Sequence, residues 1–284
     1  MLRQALVRIG GQFYRRYSSL LPRELVETGF RVVSPAGPRD VLTYHDKKFV
    51  LRCYRSHWIA HCLGCYEPVT RVVMESLFHS GMVFVDGGAN AGLYSVLASQ
   101  AAGSQGMIHA FEPHPVVHSI LTGNLSENGC VNVKPWKAAL GAAAGTASLY
   151  HSAEPGSHSL LESNPAERYS VRVLTLDEVL GNNRVDLIKL DLEGYEPFAL
   201  QGMHSILARP AESKPILVME FCSSWLKRAS VSPSQILDLL EGRGYKLKAI
   251  DDNHRRGPFD LDARERRAIE RDDFDYNLLC IPER

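Results

Sequence analysis

The stretch from Met82 to Ser95 constrains the fold of this chain more than any other. It opens with an apolar run that predicts a short buried strand, and this run ends in an acid, Asp86. A turn with Gly88 and Gly92 comes next, and helix-forming residues follow from Leu93. This order is typical of the first strand, turn and helix of a nucleotide-binding α/β sheet. Glycine at the two turn positions would let a ligand approach the backbone closely.

A second acid, Glu112, follows the apolar run Met107–Phe111, twenty residues after Gly92. At the tip of a second strand, its carboxylate can accept hydrogen bonds from two vicinal ribose hydroxyls. The turn reads D-G-G-A-N-A-G, and Asn90 replaces the middle glycine of pyrophosphate-binding loops. This favours an adenosine ligand without a pyrophosphate, of which S-adenosylmethionine is the commonest. An NAD site and a turn needed only for packing are the alternatives.

A third group of polar residues ends another predicted strand, at 185–190. Lys189, Asp191 and Glu193 alternate, so their side chains point to one side if the strand continues. The carboxyl ends of such strands are where α/β sheets bind ligands. A lysine between two carboxylates is either a structural ion pair or part of a polar active site. We favour the active site, because the lysine interrupts an apolar strand.

The polar stretch at 151–169 is long for a simple connection and predicts a lid over an acceptor. Within it, His158 is a candidate catalytic base, although an exposed loop histidine is the alternative. Two further residues are candidate ligand contacts. Glu67, in Tyr66–Pro68 at the start of a helix, either reaches the ligand or only caps the helix. Ala138, after the third strand, either leaves room for adenine or allows a tight turn.

Other segments complete an α/β pattern. Further strands are expected at 131–137, 147–150, 170–173, 215–221, 245–250 and 276–281. The highly charged stretch at 252–275 predicts a solvated excursion between the last two strands.

The length of 284 residues suits one large domain with an extension. We expect an N-terminal extension at 1–63, with a helix and a β-hairpin, as a substrate cap or a dimer contact. The main domain then covers 64–284. The formal net charge of +0 gives no general attraction to nucleic acid or to acidic membranes. No apolar run is long enough to span a bilayer, and we expect a cytoplasmic protein.

The cysteines and the N-terminus leave two further alternatives. The six scattered cysteines predict reduced thiols rather than a disulfide framework. Cys62 and Cys65 have the C-x-x-C spacing of zinc ligands, but without a second pair they favour buried thiols, and we expect no metal. The first 23 residues hold five arginines and no acid. They predict a helix that packs on the protein or on a second subunit, with a membrane-surface or targeting segment as the alternative.

Taken together, the motifs resemble those of the FkbM family of methyltransferases, which depend on S-adenosylmethionine. The resemblance rests on Y-E-P, D-G-G-A-N-A-G-L-Y-S, F-E-P, T-L-D, I-K-L-D-L-E-G-Y-E and P-I-L-V-M-E, in this order, over about 64–222. It implies a class I, Rossmann-like α/β fold. In that fold a seven-stranded, mostly parallel sheet has an antiparallel last strand and helices on both faces. It also implies methylation of hydroxyl groups on sugars, polyketides or other secondary metabolites.

The resemblance implies a role for most of the candidate residues. Those expected around the methionine part of the donor are Asp86, Gly88, Asn90 and Gly92. Glu112 would hold the ribose, and Ala138 would lie near the adenine. Asp191 and Glu193 would face the methyl group and the acceptor. The sequence departs from the usual pattern at Gly87, where a branched apolar residue is common, and we expect this to loosen the turn.

Methyl transfer to an alcohol needs a base for the hydroxyl proton. We expect Asp191 or His158 to act as this base, oriented by Lys189 or Glu193. A divalent metal held by the two acids, Asp191 and Glu193, is a weaker alternative. Two other classes of function stay open: an NAD(P)-dependent oxidoreductase and a non-catalytic scaffold. A nucleic-acid methyltransferase is disfavoured, because no basic stripe interleaved with aromatic residues is visible.

Overall fold

The computed structural model describes residues 41–151, 158–161, 168–271 and 273–283. The chain divides into two compact units, Met1–Pro68 and Val69–Arg284. The predicted basic N-terminal helix lies outside the described residues.

The described part of the first unit is a hairpin followed by a helix. Strand β1 (Val41–His45) pairs antiparallel with β2 (Val50–Tyr54), as expected, and α1 is Arg55–Leu63. The indole of Trp58 donates a hydrogen bond to the carbonyl of Thr43 (3.0 Å), which holds the helix on the hairpin.

The second unit is built on an eight-stranded sheet with the spatial order β13-β12-β14-β11-β10-β3-β4-β5. Its strands are β3 (Val83–Gly87), β4 (Met107–Phe111), β5 (Val133–Trp136), β10 (Leu187–Leu190), β11 (Ile216–Cys222), β12 (Tyr245–Asp251), β13 (Arg256–Asp260) and β14 (Asp275–Pro282). From β5 to β11 all neighbours are parallel, and β14 is antiparallel to both of its neighbours. This is the expected α/β fold, a large, mostly parallel sheet with an antiparallel last strand.

The eighth strand, β13, differs from the seven-stranded expectation. It forms inside the charged stretch at 252–275, and helix α10 (Ala263–Arg271) follows it. The helix buries Ile269, and an ion pair between Arg256 on β13 and Glu265 on the helix joins the two elements. Both elements can therefore form with few apolar residues. The stretch at 252–275 is therefore folded. Its edge strand and its helix were missed in the sequence because most of their residues are charged.

One helix precedes the first strand of the large sheet, and the others lie between its strands in the chain. They are α2 (Pro68–Leu77), α3 (Leu93–Ala102), α4 (Pro115–Glu127), α5 (Leu176–Leu180), α6 (Glu196–Gln201), α7 (His204–Leu207), α8 (Ser223–Ala229) and α9 (Pro233–Gly242). Helix α3 packs on β3 and β4, α4 on β5, and α9 on β12. The main core is formed by the inner residues of β10, β11 and β14 with those of α6, α7 and α9.

The middle of the chain forms a separate four-stranded sheet, in the order β6-β9-β7-β8. Its strands are β6 (Ala139–Leu140), β7 (Gly145–His151), β8 (His158–Ser159) and β9 (Arg168–Leu174). The short strand β8 brings the middle of the predicted lid into the described structure.

Three further observations concern disulfides, metal ligands and membrane-spanning helices. All six cysteines are free thiols. Among the described residues, no group of three or more His, Cys, Asp or Glu side chains is arranged to hold a metal ion. None of the helices in the described ranges is both long and apolar enough to cross a membrane.

Candidate functional site

The carboxyl ends of three neighbouring parallel strands bring the predicted acids to one edge of the large sheet. Lys189 on β10 is opposite Asp86 on β3, and Gly87 on β3 is opposite Phe111 on β4. Glu112 and Asp191 each follow one of these strands by a single residue. The candidate site is therefore formed by the turns after β3, β4 and β10.

The turn after β3 is fixed by backbone hydrogen bonds to the end of β4. The amides of Gly88 and Ala89 donate to the carbonyl of Phe111 (3.0 and 2.8 Å). Asn90 and Gly92 have positive φ angles of 49° and 91°, a conformation that glycine and asparagine tolerate best. These hydrogen bonds and backbone angles give the turn a defined shape.

Close packing within the protein explains the glycines of this turn. A Cβ atom on Gly88 would lie 1.8 Å from the carbonyl oxygen of Asp191, and one on Gly92 would lie 2.6 Å from Leu121 Cδ1. At Gly87, a Cβ atom would lie 2.9 Å from Leu140 Cδ1. The space of the usual branched residue at this position is thus occupied by neighbouring side chains. Gly87 also accepts a hydrogen bond from the Asp191 amide (2.9 Å), so the turn is not loosened as expected.

Glu112 has the environment of a ligand-binding carboxylate. It is buried, and its two oxygens accept hydrogen bonds from the amides of His114 (2.8 Å) and Asn90 (3.1 Å). Burial raises the pKa of Glu112 to about 7, although both hydrogen bonds oppose the shift. Because a carboxylate oxygen has two lone pairs, each oxygen can still accept one more hydrogen bond. The residue can therefore hold two neighbouring hydroxyl groups.

A buried lysine links the acids of β3 and β10. Lys189 is 2% exposed and donates to Asp191 Oδ2 at 2.7 Å. Its Nζ lies 4.9 Å from the centre of the Tyr94 ring. Asp86 is buried and accepts a hydrogen bond from the Ser95 hydroxyl (2.6 Å). Burial raises the pKa of Asp86, and the nearby Lys189 charge opposes the shift.

Asp191 is the accessible member of this group, with 27% of its side chain exposed. Lys189 and Asp191 therefore form an ion pair, and the Asp191 carboxylate is also accessible at the edge of the site. Glu193 lies in the turn beyond, at a φ of +53°, and its carbonyl accepts a hydrogen bond from Ser159 Oγ (2.7 Å).

Strand β8 connects two sides of the site. The rings of His158 and His114 are stacked, with centres 4.0 Å apart. The next residue, Ser159, donates its hydroxyl hydrogen bond to the turn after β10. Leu161 packs close to Gly194 in the same turn, where a Cβ atom would lie 2.7 Å from Leu161 Cδ1. Residues 158–161 therefore contact the turns after both β4 and β10. The flanking parts of the predicted lid lie outside the described residues, and the role of His158 as a base stays a prediction.

The other two predicted ligand contacts have different outcomes. Ala138 is buried in the same core cluster as Phe111 and Leu140, which fits tight packing. Glu67 belongs to the first unit and has a positive φ of 41°. Its contact with a ligand stays a prediction.

Two residues of the site were missed in the sequence. Asn124 on α4 is fully buried, and its amide donates to the carbonyl of Ala91 (2.7 Å), which supports the turn after β3. Glu196 accepts a hydrogen bond from the Leu192 amide (2.5 Å) and supports the turn after β10. Burial raises the pKa of Glu196 to about 7. Its place just after the D-L-E-G stretch, at the start of a helix, was the available signal.

Comparison with known proteins gives a family match and several distant relatives. A family model described as the methyltransferase FkbM domain matches residues 86–247, more than half of the chain. The methyltransferase sdnD of Sordaria araneosa is 29% identical over 203 residues, which cover 59% of this chain and 75% of sdnD.

Two similar solved structures are also methyltransferases. Precorrin-6y C5,15-methyltransferase of Geobacter metallireducens is 14% identical and has a TM-score of 0.43, with 75% of this chain and 87% of that chain covered. The O-methyltransferase TomG of Streptomyces achromogenes is 12% identical and has a TM-score of 0.40, with 75% and 77% covered. At these values the likenesses carry no information about function.

Proposed function

The chain belongs to the FkbM family of methyltransferases, and from this premise we propose that it methylates a hydroxyl group of a small molecule with S-adenosylmethionine as donor. The observation that carries the proposal is the group of Asp86, Lys189 and Asp191 beside Glu112, at the carboxyl edge of the sheet. When bound, the donor supplies an electrophilic methyl group on a sulfonium.

The donor-binding half of the proposal rests on the turns after β3 and β4. Glu112 keeps a free lone pair on each oxygen, which suits the two hydroxyls of a ribose. Asp191 provides an accessible carboxylate near the expected position of a cationic sulfonium, and Asp86 lies on the neighbouring strand, opposite Lys189. The residues present therefore fit the donor.

The acceptor half rests on Asp191. An alcohol is a weak nucleophile until a base takes its proton. Asp191 is accessible, and its ion pair with Lys189 fixes the orientation of its carboxylate. We assign Asp191 the role of base, with Glu193 lining the acceptor side. His158 stays the alternative base, and its stacking on His114 favours a position nearer the ribose.

Two measurements test this function. Calorimetry with S-adenosylmethionine, S-adenosylhomocysteine, NAD and NADP should show binding of the two adenosyl ligands alone. Methyl transfer from labelled donor to a panel of hydroxylated sugars and polyketides should add one methyl group to an acceptor. Binding of NAD or NADP without the adenosyl ligands would contradict the proposal.

The role of Asp191 is tested by an Asp191→Asn variant, which should lose at least 100-fold in turnover, on the order of a missing general base. Its affinity for S-adenosylhomocysteine should stay within about twofold of wild type. The matched control is Asp186→Asn, at the opposite end of β10, where the carboxylate binds the Val83 amide (2.7 Å). Full turnover in Asp191→Asn would remove this residue as the base.

A further inference from the structure

A second carboxyl, Glu220, lies beside Asp191 at the same edge of the sheet. Strands β10 and β11 are parallel, and Lys189 is opposite Val218. Two residues further along the strands, Asp191 and Glu220 therefore follow on the same face. The negative charges of Asp191, Glu196 and Glu193 all act on the Glu220 carboxyl, which places the four acids near one another.

The surroundings of Glu220 leave one of its oxygens without a partner. Oε2 is buried and has no hydrogen-bond partner among the residues that the structure describes. Asn277, opposite Glu220 on β14, directs its amide nitrogen to Thr70 Oγ1 instead (3.1 Å). An unpaired buried carboxyl oxygen costs stability unless a ligand completes it.

We propose that Glu220 is an acceptor-binding residue, which forms with Asp191 the wall of the site and hydrogen-bonds the hydroxyl group that receives the methyl. This inference rests on the proposed function. The acceptor oxygen forms its bond to the methyl carbon, and the carbon–sulfur bond breaks with its electron pair left on sulfur. The hydroxyl proton passes to the carboxylate of Asp191 and later to water. Burial and the neighbouring acids raise the pKa of Glu220 well above its usual range, so its protonated form can donate to the acceptor oxygen. A bound ammonium group instead favours the ionised form of Glu220, which accepts a hydrogen bond from that group.

The charge of this wall also limits the acceptor. Four carboxyls converge there, and Lys189 supplies a positive charge next to Asp191. An acceptor with a phosphate or carboxylate near its hydroxyl would be repelled. The site therefore suits neutral or amine-bearing acceptors.

The inference can be tested without knowing the acceptor. Sinefungin is a donor analogue in which a carbon bearing an ammonium group replaces the sulfur with its methyl group. Its ammonium should approach Asp191 and Glu220, whereas S-adenosylhomocysteine has no group at that position. We expect wild type to bind sinefungin roughly tenfold more tightly than S-adenosylhomocysteine, the usual scale of a charge-assisted contact.

In a Glu220→Gln variant, this preference should fall by about fivefold, while the affinity for S-adenosylhomocysteine stays that of wild type. Glu220→Met provides a second neutral variant of similar size. The matched control, Glu212→Gln, lies before β11 at the opposite edge of the sheet and should change neither affinity. An unchanged preference in both Glu220 variants would overturn the inference and leave the proposed function intact. Failure of wild type to bind either ligand would overturn both.

Discussion

Glu112 is the residue whose ionisation should control donor binding. Its carboxyl must be ionised to accept hydrogen bonds from two hydroxyls, and burial raises its pKa to about 7. Ligand binding must therefore be accompanied by loss of a proton at lower pH. As pH falls through 7, more of the free protein carries the neutral form, and the apparent affinity decreases.

We predict that wild type binds S-adenosylhomocysteine roughly fivefold more weakly at pH 6 than at pH 7, from the fraction of the site that is ionised. In Glu112→Gln the affinity should be at least about tenfold lower at pH 7 and should lose this pH dependence. Calorimetry at both pH values measures this. The control is Glu127→Gln, at the far end of α4, which should behave like wild type. A wild-type affinity that does not change between pH 6 and 7 would contradict the ribose role.

The same scale gives a prediction for Gly88, where the carbonyl of Asp191 leaves no space for a side chain. Gly88 also has a φ of +79°, which strains other residues. We expect Gly88→Ala to lower the free energy of unfolding by more than about 2 kcal/mol. Gly123→Ala is the control, since Gly123 lies within α4 with nothing near its absent Cβ. That change should stabilise by up to about 1 kcal/mol. Urea unfolding compares them, and equal midpoints would refute the packing argument.

Among the elements, helix α2 depends on a residue far away in the chain. Asp252 accepts hydrogen bonds from the amides of Val69 (2.7 Å) and Thr70 (3.1 Å), and its second oxygen accepts from the Thr70 hydroxyl (2.6 Å). A carboxylate at a helix N-terminus satisfies amides that the helix itself leaves unpaired. Asp252 therefore fastens α2 to the end of β12.

Replacing Asp252 by alanine should cost about 2 kcal/mol of stability, because it removes a helix cap and leaves the proton of the buried Thr70 hydroxyl without its acceptor. Thermal unfolding followed by circular dichroism measures the loss. Asp238→Ala, on the exposed side of α9, is the control and should change stability by less than about 0.5 kcal/mol. A similar loss in both variants would show that the cap is not the cause.

On the scale of the whole molecule, buried carboxyls make stability depend on pH. Glu112 and Glu196 both have a pKa raised to about 7, whereas in the unfolded chain it returns to the ordinary value near 4.5. The folded protein therefore binds more protons than the unfolded chain between these values. Stability contributed by the neutral carboxyls is present below pH 4.5 and is lost as pH rises toward 7.

We predict that Glu196→Gln reduces this loss, because glutamine keeps the acceptor for the Leu192 amide and cannot ionise. The difference in unfolding free energy between variant and wild type should shift in favour of the variant by on the order of 2 kcal/mol between pH 5 and pH 8. Urea unfolding at the two pH values measures the shift. The lowered pKa values of His109 and His118 act in the opposite direction, but they are common to both proteins. A difference that stays constant with pH would contradict the prediction.

The sequence-based predictions were correct where a structural element is encoded by residues that are close together in the chain. The strands β3, β4, β10 and β11 are short apolar runs, and their acids follow directly, so the order of elements could be predicted. Strand β13 and α10 could not, because their few apolar residues are dispersed among charges. The eight-stranded sheet thus exceeded the predicted seven strands by an element that tertiary contacts stabilise.

The sequence suggested only one of the reasons for glycine in the turn after β3. The sequence indicated space for a ligand, whereas the structure shows contacts with Asp191 and Leu121 that lie far away in the chain. Glu220 was recognisable as an acid at the end of a strand. Its position beside Asp191 required the pairing of β10 with β11.

The sequence by itself determined the α/β class, the family and the acids at the strand ends, because these depend on local periodicity and on residues close together in the chain. The tertiary structure alone decided which acids converge, which of them are buried and which oxygen lacks a partner. Those properties depend on strand pairing and on desolvation, and both arise only when segments distant in the chain pack against one another.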